Sequence, residues 1–187
     1  MDRRTFLKLL AASLASAGVT GLTIAEAFAG TDRADKMSVA VAIRRLAKRY
    51  GKANGPDRER IAYLALRVMA EAHRDYSLAW AGGAVTYFCH LTREDGNSAL
   101  YTLARNARVH RDNPNIAPFL GGLRDTLLGG PKAEGDAALL MHESYMAFCE
   151  MGEFPISVVR ERMMHGRYLQ ALIKHHPAVY ARDYPAS

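Results

Sequence analysis

Apolar residues recur every three or four positions along most of the chain, which is the pattern of amphipathic α-helices. The clearest stripe consists of Ile61, Leu64, Ala65, Val68, Met69, Ala72, Tyr76 and Trp80. Pro56 and Asp57 stand at its start, where a proline and an acidic residue suit the unpaired amides and positive dipole of a helix N-terminus. Gly82 and Gly83 are predicted to interrupt the stripe.

The same periodicity predicts an all-α domain, an irregular bundle of six or seven helices. Further helices are predicted over residues 36–50, 84–91, 98–109, 136–152 and 155–175, and from the loop at 112–115 to residue 128. Residues from Pro177 onward are predicted to form a tail. No stretch shows the alternation of apolar and polar residues that is typical of a strand.

The first thirty residues have a different pattern. Arg3 and Arg4 lie just before an apolar segment that begins with Phe6 and Leu7. Small and polar residues dilute this segment, namely Ser13, Ser16, Gly18, Thr20 and Gly21. The stretch resembles a bacterial twin-arginine (Tat) signal, which is typically less hydrophobic than the signals of the general secretion route. One alternative is an ordinary secretory signal. The other is an uncleaved membrane anchor, but the glycines and threonines of the segment argue against it, because a spanning helix needs about 20 mostly apolar residues.

Ala27 and Ala29 place small residues at the two positions that a signal peptidase reads. Cleavage is therefore expected after Ala29, which would divide the chain into a signal peptide, 1–29, and a single helical domain, 30–187. The resemblance implies that the Tat translocon recognises the chain and exports it to the periplasm already folded. Such cargo often carries a cofactor, or travels with a partner that does.

The chain of 187 residues is mildly basic, with a net charge of +6. Removing residues 1–29 leaves a length that suits one domain with a substantial core. A basic exported protein could dock on an anionic membrane surface or on an acidic partner, although basic charge is also typical of an ordinary solvated face. Nucleic acid is not an expected partner in the periplasm.

Cys89 and Cys149 are the two cysteines of the chain. In an oxidising compartment a pair favours a disulfide, which here would close a loop of about 60 residues and stabilise the fold by roughly 4 kcal/mol. Both residues also lie in apolar helical patterns, where a free cysteine is a common core residue. The two interpretations stay open at this point. The chain has no Cys-x-x-Cys-His motif, which excludes covalent c-type haem.

Soft and borderline metal ligands cluster in two consecutive predicted helices. His142 and Met146 are four residues apart, Cys149 follows in the same helix, and His165 lies in the next. If the two helices pack antiparallel, imidazole, thioether and thiolate groups could converge. That mixture suits copper, or a haem with axial histidine and methionine ligands. The competing interpretation is that the methionines fill the core and the histidines are exposed or hydrogen-bonded.

The sequence contains no recognisable catalytic motif. His-Arg-Asp occurs at 73–75 and at 110–112, but a kinase catalytic loop also needs an asparagine five residues later, where Trp80 and Ala117 stand. The chain also lacks a Gly-x-Ser-x-Gly elbow, a P-loop, and the His-Glu-x-x-His and Glu-x-x-His patterns of metal sites. No catalytic residue is predicted.

One segment, Phe119–Leu128, is crowded with large apolar residues around Gly121 and Gly122. A glycine pair allows close approach of another backbone. The segment therefore either forms a surface that binds a partner or packs inside the domain.

Together these features predict a Tat-exported periplasmic accessory or small subunit of a redox enzyme complex, without catalytic machinery of its own. The expected partner is a larger oxidoreductase subunit. Small subunits of membrane-associated flavin dehydrogenases are similar in plan, with a Tat signal followed by a compact domain, although no mature residues carry that likeness. The alternatives are a stand-alone periplasmic copper- or haem-binding protein and a periplasmic enzyme of unrecognised type.

Overall fold

The computed structural model describes residues 23–185, and this part of the chain is helical without any β-strand. The α-helices, numbered α1 to α10, are Ile24–Ala27, Met37–Lys52, Gly55–Asp75, Leu78–Thr92, Gly96–Arg105, Ala117–Leu127, Glu134–Gly152, Ser157–His165, Tyr168–His175 and Pro177–Asp183. Two 3₁₀ turns, Ala107–His110 and Pro131–Ala133, lie between them. The all-α prediction is confirmed, with more and shorter helices than expected. Across the described range, none of the helices has the length and apolar character needed to cross a membrane.

Helix α4 lies at the centre of the bundle. Every residue from Trp80 to Cys89 is buried, so the helix is covered on all sides. A helix that is apolar all round requires such an interior position. Helices α2, α3, α5 and α7 pack around it, and its most extensive contact is with α7.

Two glycines bring α4 and α7 unusually close together. A Cβ atom on Gly83 would lie 2.6 Å from the Cβ of Ala147, and one on Gly82 would collide with the Oγ of Ser144. The prediction that this pair interrupts the helix is wrong. The break falls earlier, at Tyr76 and Ser77, where the Ser77 side chain accepts a hydrogen bond from the Trp80 amide, 3.0 Å away, and so caps α4.

The C-terminal region also differs from its prediction. The helix expected over residues 155–175 is broken at Arg167, which adopts a left-handed conformation with φ of 60°, and it forms α8 and α9 instead. The expected tail forms α10, with Pro177 in its first turn. Backbone N–H groups in the first turn of a helix have no helical acceptor, so the missing N–H of proline costs no hydrogen bond there.

Helix α6 settles the two interpretations of the leucine-rich segment. Phe119, Leu120 and Leu123 are completely buried, and Leu127 is nearly so. The segment therefore packs internally, and its interpretation as a partner surface is wrong for all but the partly exposed Leu128.

Candidate functional site

The two histidines among the predicted metal ligands lie in different environments. His142 is almost completely buried on α7, whereas the His165 side chain on α8 is 78% exposed and lies 3.8 Å from the Glu161 carboxylate. Among residues 23–185, no three or more His, Cys, Asp or Glu side chains are grouped so that they could hold a metal ion. His142 and His165 therefore differ sharply in exposure, and a site combining imidazole, thioether and thiolate groups stays a prediction.

Both nitrogens of His142 bind to groups near the C-terminus. Its Nε2 lies 2.8 Å from Oδ2 of Asp183, and its Nδ1 lies 2.9 Å from the Tyr184 hydroxyl. Because an ionised carboxylate only accepts hydrogen bonds, Nε2 carries the hydrogen and donates it to Asp183. In the neutral ring, Nδ1 then accepts the hydrogen of Tyr184. We call His142, Asp183 and Tyr184 the His142 clasp.

The electrostatics of the clasp keep its carboxylate charged. Arg182 binds Asp183 through two hydrogen bonds of 2.7 and 2.8 Å. These bonds, followed by the bond from His142, lower the pKa of Asp183 to about 2. Burial raises the pKa of Tyr184 to about 12, so its hydroxyl remains a donor at neutral pH.

The clasp fastens the end of α10 to the middle of α7. Asp183 and Tyr184 were placed in the tail by the sequence reasoning, which therefore missed both. The spacing of Tyr180 and Tyr184, four residues apart, is the one signal that could have indicated an ordered final turn. With both ring nitrogens bound to protein, His142 has a structural position rather than a ligand's.

The two cysteines are free and separately buried. Cys149 lies with its Sγ 3.8 Å from the Pro155 carbonyl oxygen, while Cys89 is enclosed in α4. Burial raises the pKa of both thiols, and nearby acidic groups add to the effect at Cys89. The disulfide interpretation is therefore not realised in the structure, which has two core thiols. Met146, the remaining candidate ligand, is partly buried against the core.

An aromatic cluster supports α8 at the end of α7. The rings of Phe148 and Phe154 stack with centroids 4.9 Å apart, and the His90 ring lies 5.1 Å from Phe154. The Arg162 guanidinium lies 4.4 Å from the centre of the Phe148 ring. These contacts hold one face of α8 against the body of the molecule.

The opposite face of α8 carries exposed apolar side chains. Ile156 is 49% exposed and Met164 is 61% exposed. With Arg160 between them they are spaced four residues apart, so they form one row along the helix surface. We call these three residues the α8 row. This surface was not predicted from the sequence.

The two His-Arg-Asp sequences do not form catalytic pairs. The Asp75 carboxylate binds Arg74, at 2.7 Å, rather than His73. His73 instead borders a cavity of about 160 Å³ whose other lining residues include Ala70, Glu71, Asn115, Pro118 and Phe119. His110 is buried, and neither of its nitrogens has a hydrogen-bond partner within the described structure. Burial lowers the pKa of both histidines, which favours their neutral forms.

The predicted signal falls partly within the described structure. Arg3, Arg4, Phe6 and Leu7 lie outside the described residues. Ala27 is buried at the end of α1, which packs against α2 and α3. The predicted cleavage point after Ala29 therefore lies beside the folded domain.

Comparison with protein-family models, with curated proteins and with solved structures finds no match to this chain.

Proposed function

We propose that the protein is exported by the Tat pathway and acts in the periplasm as a non-catalytic accessory or small subunit of a larger redox enzyme. The observation that carries this proposal is the N-terminal pattern, with Arg3 and Arg4 ahead of a diluted apolar segment and small residues at Ala27 and Ala29. The Tat route carries folded proteins. The continuous apolar core of the described helices suits such a route, because it allows the domain to fold before export.

The α8 row supports a role in binding another protein. Methionine and arginine are enriched in the cores of protein–protein interfaces, and aromatic groups behind such a surface give it a fixed shape. Ile156, Arg160 and Met164 offer this composition on a helix that the aromatic cluster holds in place. We therefore assign the α8 row as the surface that contacts the larger subunit.

Native isolation from the periplasm tests the export step. The expected protein begins at Gly30, and replacing Arg3 and Arg4 together with lysine should leave it unprocessed in the cytoplasm. The matched control replaces Arg105 and Arg108, two exposed arginines far from the N-terminus, with lysine and should leave export unchanged. Normal export of the double variant Arg3→Lys, Arg4→Lys would contradict the Tat assignment.

Co-isolation tests the subunit role. An oxidoreductase subunit is expected in about equal amount with the wild-type protein, and Met164→Asp should remove it. Val109→Asp is the control, because Val109 is an apolar residue of similar exposure, 58%, outside the α8 row. A protein that is isolated alone, or a partner retained equally by Met164→Asp, would contradict the proposal.

A further inference from the structure

Phe28 fills a groove between α2 and α3. Its side chain is almost completely buried although it lies in a short connecting segment. The space left beside it amounts to about 10 Å³ and is bordered by residues of both helices, including Val39, Ala72 and Tyr76. The Arg33 guanidinium covers the ring, 4.5 Å from its centre. We call this the Phe28 groove.

The backbone next to Phe28 is held as well. Arg45 of α2 donates to the carbonyl oxygen of Ala27 at 3.3 Å, and also to that of Ala29. These carbonyls lie at the end of α1, where helix geometry leaves them without internal partners. Thr23 and Glu26 cap the start of the same turn reciprocally. The groove thus recognises an aromatic side chain together with the carbonyls on either side of it.

Arg33, which covers the groove, lies after the predicted cleavage point, whereas Phe28 lies before it. Arg33 forms an ion pair of 3.2 Å with Glu71, and its carbonyl oxygen accepts a hydrogen bond of 2.6 Å from the Tyr76 hydroxyl. Cleavage after Ala29 would remove Phe28 and both carbonyls bound by Arg45, while Arg33, Arg45 and the groove walls would remain. The processed protein would then expose an apolar slot with a cationic donor beside it.

A second observation marks the slot as polar at its base. The Oγ of Ser38 borders the same space, is buried, and has no hydrogen-bond partner within the described structure. Buried hydroxyl groups normally have a partner. A tyrosine in the place of this phenylalanine would bring a hydroxyl group into the space that Ser38 also borders.

We propose that the Phe28 groove is a binding site for a segment of a partner protein that carries an aromatic side chain flanked by free backbone carbonyls. Residues 23–29 occupy the site until they are removed, so that processing exposes it. This inference rests on the processing of the chain in the proposed function.

A labelled peptide with the sequence of residues 23–29 tests the site by fluorescence anisotropy. The processed protein isolated from the periplasm should bind it saturably, and the unprocessed full chain should not, because its site is filled. Replacing the phenylalanine of the peptide with alanine should weaken binding by at least about tenfold, the loss expected for an anchoring aromatic residue. A peptide with tyrosine at that position should bind at least as well.

Variants of the protein separate the groove from non-specific binding. Arg45→Ala in the processed protein should weaken peptide binding, whereas Arg49→Ala, an exposed arginine on the same helix, should not.

The outcomes distinguish this inference from the proposed function. If the processed protein co-isolates with its subunit but does not bind the peptide, the groove proposal is overturned and the subunit role stands. If the exported protein retains residues 23–29, the processing step and the unmasking of the groove are both overturned. Equal binding of the phenylalanine and alanine peptides would also overturn the aromatic site.

Discussion

The imidazole of His142 makes two hydrogen bonds in a position almost closed to water. Replacing it with alanine would leave Asp183 and Tyr184 without their partner. Since hydrogen bonds to charged groups contribute most, His142→Ala should lower the free energy of unfolding by about 3 kcal/mol, measured by urea denaturation. His165→Ala is the matched control and should change it by less than about 0.5 kcal/mol, because His165 is exposed. Equal effects of the two variants would contradict the role of the clasp.

The clasp also predicts a dependence of stability on pH. The pKa of Asp183 in the fold, about 2, is below its ordinary value of 3.8, so the ionised carboxylate stabilises the folded state. That contribution is fully present at pH values well above 3.8 and is lost as the pH falls towards 2. Asp183→Asn should therefore be less stable than the wild type at neutral pH.

The difference in unfolding free energy between Asp183→Asn and the wild type should shrink as the pH falls from about 5 to about 2, in a series of urea titrations. Asp112→Asn provides the control, since the Asp112 side chain is 90% exposed. A difference that stays constant across this range would show that the carboxylate charge does not stabilise the clasp.

At the scale of helices, the contact of α4 with α7 depends on the absence of a side chain. In Gly83→Ala, the new methyl group would lie 2.6 Å from Ala147 Cβ and 2.9 Å from the Ser144 carbonyl oxygen, so the helices would have to separate. Overpacking of this kind should lower the unfolding free energy by about 2 kcal/mol. Denaturant unfolding measures the change.

Gly121→Ala is the matched helical control. A Cβ atom at Gly121 would meet nothing within 4 Å, so alanine should stabilise α6 by up to about 1 kcal/mol through its higher helix propensity. If both glycine variants were stabilising, the close approach of α4 and α7 would not constrain the fold.

The helix boundaries show which limits can be predicted from the local sequence pattern and which cannot. The limits of α2 and α7 follow closely from apolar periodicity, because each exposes one polar face. The break at Arg167 was not predicted, since a left-handed arginine lacks the glycine that usually marks such a position. The helices on either side of it, α8 and α9, both pack against α7.

For the whole molecule, the continuous core predicts how the thiols react. Cys89 and Cys149 are both buried, and burial raises the pKa of each, so neither thiolate forms readily in the folded protein. A thiol reagent should label both cysteines in denaturant and label them only very slowly under native conditions. The matched comparison is a single surface cysteine, Arg49→Cys, which should react at once.

An oxidised sample provides the second part of this test. If the two thiols remain free, treatment with a reductant should leave the unfolding free energy unchanged. A loss of about 4 kcal/mol on reduction would instead indicate a disulfide that closes the intervening loop.

The helical class of the domain was readable from the chain because helix periodicity depends on neighbouring residues, and the proposed N-terminal signal rests on local pattern in the same way. Arg3 and Arg4 gain their meaning from the segment that follows them, and periodicity marks a helix within about three turns. The candidate metal site was not readable in this way. Met146 and Cys149 share a helix with His142, but the direction of His165 depends on how the next helix packs.

What periodicity leaves open is the partner that each side chain meets through space. His142 is bonded to residues about forty positions away, and the same histidine in the same helix would lack both partners if α10 lay elsewhere. Gly83 favours a break in an isolated helix but permits the close contact of α4 with α7. Phe28 belongs by pattern to the proposed signal, yet its side chain fills a groove of the fold. Local sequence establishes which elements form, because backbone hydrogen bonds and helix caps span a few residues. The packing of those elements alone establishes which groups become neighbours, and therefore what chemistry remains available to them.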